Sequence, residues 1–317
     1  MTNFYVVGGG RWARVVVGEA HKLKDQNLDI TIVSTKNYKY MQRWVDKTIG
    51  IKSINVTKEF PINVISNSSI YVVNETRNRY ETLKYIKKFK IPTLVEKPFM
   101  LDYSEAKKIV DLYKVAGVIL ASSQVFRFLD AIKVLKEEIN GNNIISIECL
   151  WHDLVSEIRY EELKKYESDV PIYFDILPHI YSLVSEILGS ARLTFDKFSC
   201  VKLPSDISLI CKVNDVIDFE IKLSRSSSER VRLLKINTNT STIHFDFSTS
   251  EIIKVFFKQK LIRTKNLGQS TSLQSMLRVF FEGNKSKIVD QRLDIQKSLE
   301  IIKLCQNIEN EISNFNF

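Results

Sequence analysis

The sequence has 317 residues, 44% of them hydrophobic and 26% charged, which is enough to bury a sizeable core and, at about 150 residues per domain, predicts two domains. Lysine and arginine outnumber aspartate and glutamate by 46 to 37, giving a formal net charge of +9, but they are scattered instead of forming a basic stripe with interleaved aromatics, which argues against nucleic acid as a partner. The four cysteines are widely spaced without a C-x-x-C pair, so neither a disulfide framework nor a metal site is predicted.

The N-terminal stretch predicts a strand, a glycine turn and a helix. The apolar residues 4–7 lead into Gly8-x-Gly10-x-x-Ala13, and a helical pattern follows. In the dinucleotide fingerprint the first glycine permits a tight turn, the second lets the backbone approach a pyrophosphate, and the small third residue lets helix pack close to strand. A turn that binds nothing is the alternative. The predicted cofactor-binding residues here are Gly8, Gly10, Arg11, Trp12 and Ala13.

A second strand is predicted over residues 29–33 and ends at Ser34, Thr35 and Lys36. NAD enzymes usually carry an acid at this place, which accepts a hydrogen bond from the ribose 2′-hydroxyl. Hydroxyl groups and a lysine suit a 2′-phosphate better, and Arg11 adds a second cation. We therefore expect NADP(H) to be favoured over NAD(H), although ordinary loop polarity would explain the same residues.

Two further strands continue the pattern. The first, 69–73, places Asn74 at its carboxyl end, and a helix follows over residues 79–89. The next apolar run ends abruptly in Glu96, Lys97 and Pro98, where proline stops the strand. Since ligands of open α/β sheets bind beyond the carboxyl ends of the strands, Lys97 should point its ammonium at a ligand. A solvated ion pair is the alternative.

A helix over residues 102–114 and a strand over 118–121 complete the first predicted domain, 1–121, and Gln124 follows. Strands that alternate with helices predict a parallel, doubly wound α/β sheet of the Rossmann type. Asn74, Glu96, Lys97 and Gln124 then join the predicted cofactor-binding set.

Residues 122–317 predict a second, α+β domain with a large, mainly antiparallel open sheet, because several segments alternate apolar and polar residues. Helices are predicted over 129–138, 172–188 and 291–314, and the last of them is expected to pack back on the first domain. The strands are predicted over 144–154, 193–203, 206–213, 217–224, 231–237, 241–248 and 250–257.

Asp175 and His179 lie four residues apart in the helix predicted over 172–188, so their side chains share one face. Both sit among apolar residues, and buried polar groups need partners. Either the two satisfy each other or they face a cavity. Pro178 fits poorly inside a regular helix and is expected to shift the start of the helix.

Three motifs together resemble the Gfo/Idh/MocA family, the glucose-fructose oxidoreductases, inositol dehydrogenases and relatives. They are the N-terminal glycine turn, the sequence Glu96-Lys97-Pro98, and the pair Asp175-x-x-x-His179, in that order along the chain. The resemblance covers essentially the whole chain. It implies nicotinamide-dependent hydride transfer at a sugar or cyclitol carbon, with Lys97, Asp175 and His179 as the catalytic set.

The chain departs from the family's pattern in two places. Glu75 and Arg79 stand about where the family usually carries proline and then histidine, and residues 168–171 replace a common glycine pair. Both changes lie where substrate and nicotinamide would be contacted, so they put the substrate class in doubt.

The leading hypothesis is an NAD(P)-dependent oxidoreductase that acts on a sugar or nucleotide sugar. His179 would exchange the hydroxyl proton, Lys97 would stabilise the substrate oxygen, and Asp175 would orient substrate and His179. Reduction of an imine or another non-sugar group, and a non-catalytic NAD(P)-binding regulator, are the alternatives. A cytoplasmic homodimer or homotetramer is expected, with no membrane span, since no run of about 18 apolar residues occurs.

Overall fold

The computed structural model describes residues 1–48, 54–61, 67–159, 162–163, 166–189, 192–202 and 205–315. The chain divides into two units. The first consists of Met1–Gln124 and Leu273–Ile302, and the second of Val125–Ser272 and Lys303–Phe317. Each unit has its own sheet and its own buried core, and the two are described in turn.

The first unit alternates strands and helices in the order β1 (Thr2–Val7), α1 (Arg11–His21), β2 (Leu28–Val33), α2 (Tyr38–Lys47), β3 (Ile54–Thr57), β4 (Ser68–Val72), α3 (Arg79–Ile86), β5 (Thr93–Val95), α4 (Tyr103–Val115) and β6 (Leu120–Ser122). All six strands are parallel, in the order β3-β2-β1-β4-β5-β6. The strand order reverses between β1 and β4, which is the switch point where doubly wound sheets bind ligands. The predicted parallel sheet is confirmed.

The core of this unit lies on both faces of the sheet, as expected for parallel strands covered by helices. Phe4, Ile70 and Leu94, from three strands, are completely buried. A later segment contributes α7 (Ser272–Ser286), whose Phe281 ring meets Phe4 edge to face at 5.0 Å. The last helix, α8 (Ile295–Phe315), begins in the first unit, which extends to Ile302.

The second unit contains, along the chain, α5 (Ala131–Ile139), β7 (Ile144–Leu154), β8 (Ile158–Arg159), β9 (Glu162–Leu163), α6 (Ile172–Ile187), β10 (Leu193–Lys202), β11 (Asp206–Val213), β12 (Ile217–Ser227), β13 (Val231–Thr238), β14 (Thr242–Asp246), β15 (Ile252–Phe257) and β16 (Lys260–Asn266). Eight of these strands form one sheet in the order β10-β11-β12-β7-β13-β14-β15-β16. Only the pair β7 and β12 is parallel among these neighbours, so the predicted mainly antiparallel sheet is confirmed.

One face of this sheet is buried, because alternate residues of β11 and β13 are buried along their whole length. Helix α6 packs against β12 and α5. Contrary to the expectation that Pro178 shifts the start of the helix, α6 begins at Ile172, after Pro171, and continues through Pro178. The Ser182 hydroxyl donates to the Pro178 carbonyl oxygen at 2.5 Å, one turn later.

Several elements were not predicted. Helix α7 carries buried residues at a helical spacing (Leu273, Met276, Leu277, Phe280 and Phe281), so its signal was present in the sequence. Strand β16 is exposed at every residue and therefore shows no alternation. It pairs with β15, and a turn at Lys258 and Gln259 joins the two strands. Both turn residues have positive φ, which hairpin turns usually achieve with the sequence Asn-Gly. Residue 203, predicted to end a strand, lies outside the described residues.

Within the described parts of the chain, no helix is both long enough and apolar enough to cross a membrane.

Candidate active site

The turn after β1 has no room for a side chain at Gly8. This glycine has a φ of +148°, and a Cβ there would lie 2.9 Å from Val73 Cγ2 and 3.0 Å from the Asn74 nitrogen. Gly10, the N-cap of α1, differs, because a Cβ there would meet nothing within 4 Å. The first N–H groups of a helix lack partners within the helix and favour an anion. Open space beside Gly10 at the start of α1 therefore fits a phosphate group.

The middle glycine also has a role, which the fingerprint did not indicate. A Cβ on Gly9 would lie 2.0 Å from Ser34 Oγ and 2.8 Å from Asn37 Cβ. The Asn37 side chain also donates to the Gly9 carbonyl oxygen at 2.9 Å. Gly9 thus allows the turn after β1 to lie directly against the end of β2. The G-x-G-x-x-A spacing skips this position, so only the triple glycine itself could have signalled it.

The residues predicted to select the cofactor have different surroundings. Ser34 is buried beside Gly9, whereas Thr35 and Lys36 are exposed. The Thr35 hydroxyl donates to the Lys58 carbonyl oxygen at 3.0 Å, which fixes the direction of the chain after β2. Thr35 and Lys36 are therefore the members of this set that a ligand in solution can reach.

Glu96 lies beyond the end of β5 and is held by two aromatic side chains. Trp12, in the first turn of α1, donates its indole N–H to Glu96 Oε2 at 2.8 Å, and the Tyr71 hydroxyl donates to the same oxygen at 2.5 Å. Burial, and after it the Glu96 carboxylate, raises the pKa of Tyr71 well above its usual value, so Tyr71 stays protonated as a donor. The glycine turn and the loop that carries Lys97 are thereby tied together.

Arg79, the first residue of α3, is 2% exposed. Its guanidinium donates to the Asn74 carbonyl oxygen from Nε at 3.1 Å and from Nη2 at 3.0 Å. Nη1 donates to the Glu96 carbonyl oxygen at 2.7 Å and to that of Pro98. The sequence identified Arg79 only as a departure from a family pattern, whereas the structure shows that it joins two loops.

The remaining predicted cofactor-binding residues of the first unit lie at the same edge of the sheet. The Asn74 side-chain amide donates to Thr82 Oγ1 at 2.8 Å. Gln124 follows β6 and is buried, and its amide donates to Ser122 Oγ at 2.8 Å.

Ala13 is completely buried, as expected of the residue at which the helix approaches its strand. Arg11 is the first residue of α1.

In the second unit, Asp175 lies in the first turn of α6 and pairs with an arginine from the sheet. Arg225, on β12, donates from Nη2 to Asp175 Oδ2 at 2.9 Å and from Nη1 to the Val170 carbonyl oxygen at 3.2 Å. The same guanidinium lies over the Tyr166 ring, 4.5 Å from its centroid. The sequence did not predict this ion pair, because Arg225 lies 50 residues after Asp175.

His179, one turn later on α6, contacts two aromatic rings. Its imidazole stacks parallel to the Trp151 ring, with 5.5 Å between centroids and 5° between planes. Phe126 lies 4.5 Å away, centroid to centroid. Trp151 in turn lies under the guanidinium of Arg232, which forms a buried ion pair with Asp153. These stacked rings restrict the orientation of the imidazole.

Of the predicted catalytic set, Lys97 belongs to the first unit, and Asp175 and His179 belong to the second. That these groups meet at one substrate oxygen stays a prediction. Among the described residues, no group of three or more His, Cys, Asp or Glu side chains could hold a metal ion.

No protein-family model matches the chain, and no curated protein matches it. Solved structures do. UDP-N-acetylglucosamine 3-dehydrogenase from Acidithiobacillus ferrooxidans is 13% identical at a TM-score of 0.74, over 96% of this chain and 95% of that chain. A 3-ketoreductase from Actinomadura kijaniata, in complex with NADP and TDP-benzene, is 13% identical at a TM-score of 0.77, over 95% of this chain and 94% of that chain.

A dehydrogenase (MviM) from Clostridium difficile is 14% identical at a TM-score of 0.76, over 98% of this chain and 99% of that chain. At these identities the similarity establishes the fold. The predicted fold class, a Rossmann-type sheet together with a large open sheet, is confirmed along nearly the whole chain.

Proposed function

We propose that this protein is an NAD(P)-dependent oxidoreductase that transfers a hydride between the nicotinamide and a hydroxyl or carbonyl carbon of a sugar or nucleotide sugar. The observation that carries the proposal is the hydrogen bond from Trp12 to Glu96. Through it a dinucleotide-type turn and the loop of Lys97 are held together at the edge of the sheet where open α/β folds bind ligands.

The described residues fit NADP(H). A Cβ at Gly8 would strike the chain after β4, whereas the space beside Gly10 is open, as a pyrophosphate requires. At the end of β2, Thr35 and Lys36 would bind the 2′-phosphate, and the sequence of residues 34–37, Ser-Thr-Lys-Asn, contains no acid to favour the 2′-hydroxyl of NAD(H). The bound NADP of the Actinomadura ketoreductase supports the same choice.

The chemistry follows from the types of side chain. A bound nicotinamide supplies or accepts the hydride. Lys97 hydrogen-bonds the substrate oxygen and stabilises its developing negative charge. In the oxidation direction His179 accepts the hydroxyl proton, and in the reduction direction it returns that proton. Asp175, held by Arg225, orients the substrate, and Trp151 keeps the ring of His179 in one plane.

Nucleotide sugars are the proposed substrates. Two of the similar structures are described as a UDP-N-acetylglucosamine 3-dehydrogenase and as a 3-ketoreductase that holds TDP-benzene. A diphosphate would also be attracted by a chain with a net charge of +9.

The test begins with the cofactor. Calorimetry of the purified protein should show tighter binding of NADPH than of NADH. The absorbance of the reduced nicotinamide should then report turnover with a panel of UDP-sugars, TDP-sugars and their keto forms. Failure to bind either dinucleotide would refute the proposal. Turnover of a cyclic imine, with none of the sugars accepted, would favour the imine reductase instead.

We further propose that the protein works in a reducing cytoplasm as a homodimer or homotetramer. The described cysteines Cys149, Cys211 and Cys305 are free and buried, which supports a reducing compartment. The face of the eight-stranded sheet opposite the buried one carries partly exposed apolar residues such as Leu150 and Leu233, which supports association through this face. Light scattering coupled to size exclusion should give a mass at least twice 36.8 kDa, and a mass of one chain would refute the assembly.

A further inference from the structure

Arg79 is placed to control the loop that carries Lys97. The carbonyl groups of Glu96 and Pro98, on either side of Lys97, both accept from Nη1 of Arg79. Two fixed carbonyls that flank one residue leave little freedom in the backbone of that residue. The main-chain position of Lys97, and with it the start of the Lys97 side chain, is therefore set by a side chain from another element, α3.

The same guanidinium reaches the neighbouring loop. Nε and Nη2 both donate to the carbonyl oxygen of Asn74, which follows β4. Strands β4 and β5 are neighbours in the parallel sheet, so their carboxyl ends lie side by side. Arg79 thus bridges the loop after β4 to the loop after β5 from a buried position, where water does not compete for the donors.

This bridge depends on the geometry of arginine. A guanidinium presents five N–H donors in a planar fork, whereas a lysine ammonium has three donors on a flexible stem and cannot hold three separate carbonyls in the same way. The Glu96 carboxylate is held separately, by Trp12 and Tyr71. Arg79 fixes the main chain of the loop while those residues fix the Glu96 side chain.

We propose that Arg79 is a positioning residue, which acts on turnover through the placement of Lys97 and without contacting the substrate. The proposal rests on the proposed function for its kinetic test. A misplacement of about 1 Å in a catalytic group costs about 100-fold in rate. Arg79→Lys should therefore lower kcat by about 100-fold while the KM for substrate and the Kd for NADPH change only a few-fold.

The matched control is Arg77→Gln. Arg77 belongs to the same segment but is exposed, and it pairs with Glu75 at the surface. This variant should keep normal kcat, KM and Kd. Arg79→Gln serves as a second variant that removes the charge, and circular dichroism checks both for folding. If neither Arg79 variant folds, the proposal fails, because it assigns to Arg79 a local role in two loops.

A double-mutant cycle decides whether Arg79 acts through Lys97. In the background of Lys97→Ala, the Arg79→Lys change should have almost no further effect on kcat, since the group it places is gone. An equal loss of rate in both backgrounds would refute the proposal. If Lys97→Ala alone leaves turnover normal, the proposed function of Lys97 has failed instead.

A second readout needs no substrate. Lysine side chains can be labelled competitively with acetic anhydride, and the extent at each site can be measured by mass spectrometry. The labelling rate of Lys97, relative to the exposed Lys84 and Lys107, should change several-fold in Arg79→Lys and stay constant in Arg77→Gln. An unchanged rate for Lys97 would refute the positioning role whatever the enzyme's substrate.

Discussion

Replacing Gly8 and Gly10 one at a time should separate folding from cofactor binding, although both glycines belong to one turn. At Gly8, an alanine would have a φ of +148° and a Cβ 3.0 Å from main-chain atoms of residues 73 and 74. At Gly10, a valine Cβ would meet nothing within 4 Å. The first change perturbs the fold, and the second places a side chain where the pyrophosphate is expected.

The magnitudes follow from these contacts. A non-glycine residue in an unfavourable φ costs about 1–3 kcal/mol, and overpacking against backbone adds about 1–3 kcal/mol. Gly8→Ala should therefore lower the free energy of unfolding by about 2–6 kcal/mol, a large part of a typical stability of about 5–15 kcal/mol. Gly10→Val should cost only about 1 kcal/mol, because glycine is a better N-cap residue than valine.

Urea unfolding followed by circular dichroism measures the stabilities, and calorimetry with NADPH measures binding. Gly10→Val should remain folded and lose binding by more than about 100-fold, equivalent to about 2.7 kcal/mol. Normal NADPH binding by a folded Gly10→Val protein would refute the assignment of the phosphate to this turn. Unchanged stability of Gly8→Ala would show that the turn can relax around a Cβ.

Three further substitutions test the rest of the site. Thr35→Asp should weaken NADPH binding by about tenfold, because the new carboxylate repels the 2′-phosphate by about 1.4 kcal/mol, and NADH binding should stay equal or become tighter. Calorimetry that shows both cofactors binding more weakly by the same factor would count against this. Lys97→Ala and His179→Ala should each lower kcat by about 100-fold to 10,000-fold with little change in the Kd for NADPH, and turnover within a few-fold of normal would show that the site is wrong. Arg225→Gln should lower the free energy of unfolding in urea by about 1 kcal/mol, because its ion pair with Asp175 is partly accessible to water. The exposed fractions of the Arg225 and Asp175 side chains are 13% and 26%. A loss above about 3 kcal/mol would indicate a buried pair.

Most strands and helices of the first unit could be predicted because their signals are local, whereas α2, β3 and α7 were not predicted. A glycine turn between strand and helix and apolar runs that end in polar residues are contained in short stretches of sequence. The sheet of the second unit was predictable from alternation, and β16 was missed because an exposed edge strand has no buried face to alternate with. Helix α7 was missed although its pattern is regular, since it follows a long series of strands.

Within the site, sequence identified the residue types but not the contacts that place them. Ser34 and Thr35 are adjacent in sequence, yet only the packing of Gly9 against Ser34 shows which of the two is buried. Arg225 reaches Asp175, and Trp151 reaches His179, only after sheet and helix have come together. Such contacts between distant positions leave no spacing that a single sequence could reveal.

The three predicted catalytic residues are held by three different kinds of contact. The chain around Lys97 is fixed by main-chain hydrogen bonds to Arg79, the Asp175 carboxylate is fixed by a partly exposed ion pair, and the His179 ring is fixed by stacking on Trp151. Salt screens exposed charges but affects buried hydrogen bonds and ring stacking far less. Added salt should therefore weaken the ion pair of Asp175 with Arg225 more than the other two contacts. Because Asp175 is proposed to orient the substrate, and Lys97 and His179 to act on one oxygen, we expect salt to affect the orientation of the substrate more than the chemical step.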